Sequence, residues 1–165
     1  MYHDLNMIHQ LDIEYDASTF DTDPFEPQPE GVKTIFPFYV DGIPDRKGFV
    51  ELPYTLPQDF TLFILMREKN IDIWKKKLHW VAERGGMVLL ITHPDYMRFD
   101  GKKLALDEYP AAFYETFLSY VQNTFRDQYW HALPRDVGRF CMQNALGISQ
   151  KLSEANQRST AEIIS

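Results

Sequence analysis

A chain of 165 residues, 44% hydrophobic and 15% aromatic, is long enough for one domain with a sizeable core and too apolar to be a disordered one. The formal net charge of −7, with no basic run among the aromatics, gives nucleic-acid binding no support. A single cysteine, Cys141, excludes an internal disulfide framework, and in its predicted helix, Val137 to Asn144, it reads as a small apolar residue rather than a nucleophile. No apolar run approaches the roughly 18 residues of a membrane span. The start, Met1-Tyr2-His3-Asp4-Leu5-Asn6, lacks a charged-then-apolar leader, so a soluble, cytoplasmic chain is expected.

In chain order, Leu5, Ile8 and Leu11 share one face of a predicted helix over His3 to Leu11. Asp12 to Ala17 alternates and predicts a strand. Asp21 to Gly31 holds three prolines and four acidic residues and predicts a loop. Two further strands are predicted at Thr34 to Val40 and Phe49 to Pro53, across the turn Asp41 to Asp45, followed by a helix over Pro57 to Arg67. Ile71, Trp74, Leu78 and Val81 line a helix over Ile71 to Arg84, capped by Asn70 and ended by Gly85-Gly86. Met87 to Thr92 is a continuous apolar run that predicts a strand buried on both faces. Pro110 opens a helix to about Phe125, Tyr129 to Leu133 predicts a strand, and Pro134 starts a last helix. Residues 1–146 form the expected domain, and 147–165 a polar tail, frayed or disordered.

This order predicts an α/β fold with a partly parallel sheet. About five strands are counted, whereas a closed (β/α) barrel takes about 250 residues. The expected fold is therefore short by roughly two or three βα units of a barrel.

His93, in Thr92-His93-Pro94-Asp95-Tyr96, follows the best predicted strand, where parallel α/β folds place catalytic groups. Imidazole titrates near neutral pH and can hand a proton to a leaving group; a His bonded to loop backbone is the other reading. The acidic positions Asp16, Asp21, Asp23 and Glu26 can bind a hard cation, hold a catalytic His in one tautomer, or simply cap turns. His131 stands beside Trp130, either lining a sugar cleft or bonded within the core. His3 and His9 are six apart, so no zinc pair is expected from them. The many aromatics fill a core or stack on sugar rings. Neither a Gly-rich phosphate loop nor a Gly-x-Ser-x-Gly elbow is present.

Five segments taken together resemble the polysaccharide deacetylases of the carbohydrate esterase 4 type. They are Glu14 to Ser18, Asp21 to Pro29, Glu51 to Asp59, Gly86 to Tyr96 and Tyr129 to Arg135, and the resemblance spans about residues 1–142. It is to bacterial, chitooligosaccharide deacetylase-like proteins linked to surface polysaccharides. It implies a distorted (β/α) barrel and a hydrolase that removes N- or O-acetyl groups from sugars. A divalent metal, often zinc, on an Asp-His-His set is implied as well. Leu89-Leu90-Ile91-Thr92-His93 resembles the family's strand end with its late His, which makes His93 the implied general acid. Asp21 and Asp23 resemble the Asp-rich segment that positions it. Tyr96, Trp130 and His131 are the implied substrate-binding residues.

The family's early Thr-Phe-Asp-Asp-Gly segment, its His-x-x-x-His metal pair and its Arg-containing segment have no counterpart here. The resemblance thus implies a partial, incomplete barrel lacking its N-terminal βα units, with no metal bound by this chain alone. The first half is then lost or misplaced, or a separate polypeptide supplies it. The expected partner is a polysaccharide or oligosaccharide, and the alternative is a non-catalytic carbohydrate-binding or interaction module derived from that fold.

Overall fold

The computed structural model describes residues 5–21 and 31–144, the side chain of Asn6 excepted. Two units divide the chain: Asp4–Asp16, Pro37–Leu52 and Ala132–Ser165 in one, Met1–His3, Ala17–Phe36 and Pro53–His131 in the other. The predicted tail, 147–165, and most of the loop Asp21 to Gly31 lie outside the described residues.

In the first of these units, helix α1 (Leu5–Ile8) tightens into a 3-10 turn at His9–Leu11, and Asp12 in the left-handed region (φ 48°) ends it. The tighter turn advances about 120° per residue instead of 100°, which shifts the inward face. His9 is buried and Leu11 is exposed, against the predicted Leu5-Ile8-Leu11 face. The His9 ring meets Phe49 edge-on at 5.2 Å. Strands β1 (Tyr15–Asp16), β2 (Phe38–Val40) and β3 (Phe49–Glu51) form a mixed sheet in the order β1-β3-β2. Tyr15 pairs with Val50 in parallel, and Phe38 pairs with Glu51 antiparallel. The three predicted strands are in place but shorter. Gly48 is needed there, since a Cβ would run into the Val40 carbonyl. Residues 134–144 are helical, as predicted. Cys141 is half-buried, and burial pushes its thiol up, away from the thiolate form.

The other unit holds the larger core. Asp59 caps a π-helix, Phe60–Leu65, where the sequence predicts an α-helix from Pro57 to Arg67. The widening is visible in the Met66 N–H donating to the Thr61 carbonyl, five residues back. Helix α2 (Asp72–Ala82) buries Trp74, Leu78 and Val81. Asn70 Oδ1 accepts the Asp72 N–H at 2.9 Å. Gly85, at φ 64°, turns the chain out while Gly86 N–H returns to the Val81 carbonyl at 3.1 Å. Strands β4 (Met97–Arg98) and β5 (Tyr109–Pro110) pair in parallel, and helix α3 (Ala112–Thr124) follows. Pro110, predicted to open that helix, belongs to β5 instead. Trp74 is fully buried, its indole N–H on the Pro57 carbonyl at 2.7 Å. Its ring lies 4.9 Å from Phe63 and 5.1 Å from Phe117.

Two predicted strands differ. Met87 to Thr92 forms no strand, and a side chain takes part of its backbone hydrogen bonding. Thr55 Oγ1 donates to the Met87 carbonyl at 2.9 Å and accepts the Leu89 N–H at 3.2 Å, taking places that backbone groups would fill. The Leu89 carbonyl accepts the Thr55 N–H, and the Ile91 carbonyl accepts the Asp59 N–H. Val88 is exposed and its neighbours half-buried, so the run is not covered on both faces. Its apolar composition predicts burial that the packing does not supply. Residues 129–133 form no strand; Tyr129, Trp130 and Leu133 are exposed. No described helix is long and apolar enough to cross a membrane.

Candidate proton-donor site

The apolar run 87–92 leads to His93, itself extended (φ −121°, ψ 111°), just before the 3-10 turn Pro94–Tyr96. Asp59, at the start of the π-helix, faces it from 34 residues upstream. The carboxylate is fully buried, and four donors converge on it. Oδ1 accepts the Phe60 N–H at 2.8 Å and lies 2.6 Å from His93 Nδ1. Oδ2 accepts the His93 backbone N–H at 2.7 Å and the Tyr109 hydroxyl at 3.0 Å. A carboxylate with no exposure is retained only when such donors replace its water. The same contacts fix the imidazole. Because Oδ1 is an acceptor, Nδ1 carries the hydrogen, and Nε2 is left as the atom that can give or take a proton.

Nε2 makes no hydrogen bond among the described residues, and the His93 side chain is 40% exposed. One ring nitrogen is therefore held by a buried charge while the imidazole still reaches solvent. Tyr96 completes the group, with its ring 5.3 Å from His93 and 5.4 Å from Phe60. This arrangement can store a proton on an oriented imidazole, balance it with Asp59, and release it at Nε2.

No family model, no curated protein and no solved structure matches the chain.

Of the residues the sequence singled out, the structure brings together His93 and Tyr96. The Asp-rich segment does not supply the partner of His93. Asp21 is buried, but its Oδ2 accepts from Lys77 Nζ at 2.7 Å. Asp59 takes the place beside His93 because its backbone N–H is tied to Ile91, two residues before His93. Asp23 lies outside the described residues. Asp95, next in sequence, is exposed. Trp130 is 60% exposed, and the exposed His131 meets the Tyr129 ring at 6.1 Å.

Asp59 and Tyr109 were not singled out. The signal was present in Leu56-Pro57-Gln58-Asp59-Phe60, an acid set in an apolar run, a residue type almost never fully buried without partners. Among the described residues no three His, Cys, Asp or Glu side chains gather to hold a metal ion. Asp59 and His93 bond to each other instead.

Proposed function

We propose that this chain is the C-terminal portion of a metal-dependent polysaccharide deacetylase, a partial (β/α) barrel that supplies the proton donor for removing acetyl groups from a sugar polymer. The observation that carries this reading is the Asp59–His93 pair. Cleavage of an acetamido C–N bond expels a poor leaving group, an amine that must be protonated as it departs. The imidazolium of His93 has its Nε2 proton to give, and Asp59 compensates the charge until it is given. Tyr96, its ring 5.3 Å from that imidazole, is an aromatic of the kind that sugars stack on. The five resembling segments support the same reading, since His93 falls where the family has its general acid.

The experiment is acetate release from chitooligosaccharides. The isolated chain releases none, with or without zinc. In a protein that also carries the family's Asp-Asp and His-x-x-x-His half, His93→Ala lowers kcat by about 10²- to 10⁴-fold while metal still binds. Metal-dependent turnover by the isolated chain, abolished by His93→Ala, would overturn the proposal that the site needs a second half. A joined protein indifferent to His93→Ala would overturn the donor role itself.

A further inference from the structure

Tyr109 stands behind Asp59, almost fully buried. It is 2% exposed, and its ring packs 4.6 Å from Phe63 and 6.4 Å from Phe113. Its place follows from the strand pair that comes directly after the His93 turn. β4 leaves that turn at Met97, and the parallel register sets Met97 opposite Tyr109. One short pairing thus fixes the phenol against the carboxylate that holds the imidazole. The hydroxyl donates to Asp59 Oδ2, the oxygen that also accepts the His93 backbone N–H. Burial and the neighbouring Asp59 charge push the phenol well above the usual tyrosine range, so it stays protonated and remains a donor.

We propose that Tyr109 is a positioning residue that acts through Asp59, drawing negative charge toward Oδ2 and so setting how strongly Oδ1 holds the His93 imidazole. A hydrogen bond to one carboxylate oxygen competes for the charge available to the other. Without the hydroxyl, Oδ1 becomes the stronger acceptor and binds the Nδ1 proton more tightly. With a more acidic phenol, Oδ1 becomes the weaker one. The inference rests on the proton-donor reading of His93 for its functional meaning, but its test needs no acetate release.

The test uses the full 165-residue chain with ¹⁵N-labelled histidine, at a fixed pH where imidazole is neutral. The His93 resonances are assigned by their loss in His93→Gln. Tyr109→Phe keeps the ring and its packing and is expected to move the His93 Nδ1 resonance downfield. Replacement of Tyr109 by 3-fluorotyrosine, a stronger donor of nearly the same shape, is expected to move it upfield. A role in packing alone moves neither in this paired way. Shifts of the same sign, or an Nδ1 resonance that moves with neither replacement, would overturn the proposal. Should Tyr109→Phe fail to fold, the fluorinated chain decides alone: an upfield shift supports the proposal, and a null or downfield shift ends it. A joined protein indifferent to His93→Ala while these shifts appear rejects the donor reading of His93 and leaves the Tyr109 role standing.

Discussion

Two aspartates are buried in the same unit, and they are held in different ways. Asp59 receives two backbone N–H groups, an imidazole and a phenol, and none of its surface reaches water. Asp21 receives the ammonium of Lys77, which is itself partly exposed and lies over the Trp80 ring at 4.4 Å. Lys77 can turn back to water if its partner is lost, because it keeps a flexible stem and an exposed end. The donors on Asp59 cannot, since three of them belong to buried or fixed groups. Burial alone therefore does not tell the two carboxylates apart. What distinguishes Asp59 is the number of its donors and that backbone and buried groups hold them in place.

The largest effect expected from this difference is at Asp59. Asp59→Ala strands the Phe60 N–H, the His93 N–H and the Tyr109 hydroxyl, and should lower stability by about 3–5 kcal/mol, read from urea unfolding. A loss under about 1 kcal/mol would show that water or a rearranged loop satisfies these groups. Asp21→Ala should cost about 1 kcal/mol, since Lys77 escapes to solvent. A double-mutant cycle with Lys77→Ala isolates their coupling, and a cost equal to that of Asp59→Ala would erase the contrast drawn above.

The smallest effect is expected where Arg98 of β4 bonds Glu108, just before β5, through two nitrogens. The Ala105 N–H and then Arg98 hold the Glu108 carboxyl below the usual glutamate range. A depressed folded value means that the folded chain binds the proton less readily than the unfolded chain. The stability this adds is complete above the unfolded value and is lost as pH falls through the folded one. Wild type should thus exceed Glu108→Gln modestly at neutral pH, and the gap should close in acid, as followed by thermal unfolding across pH. A gap that widens in acid would reverse the assigned sign.

Local signals were legible where local physics decides. Helix α2 was readable because Asn70, the Trp74-Leu78-Val81 stripe and Gly85 act within a few turns of each other. The π-helix was not, since the widened turn depends on the packing of Phe63 against Trp74, Tyr109 and Phe113 rather than on any propensity. Met87 to Thr92 reads wrongly as a strand, because the Thr55 hydroxyl that takes up its Met87 carbonyl and Leu89 N–H comes from 32 residues upstream of Met87.

For the site, the sequence by itself determined that His93 follows an apolar run, with Tyr96 three residues on. Only the tertiary structure decided which acid faces it. Asp16, Asp21, Asp23, Asp59 and Asp95 are chemically the same carboxylate, and sequence distance favours Asp95. The choice fell to Asp59 because the Asp59-to-Ile91 backbone bond and the β4–β5 register bring that carboxylate, His93 and Tyr109 to one point. There, fixed donors offset the cost of burying its charge.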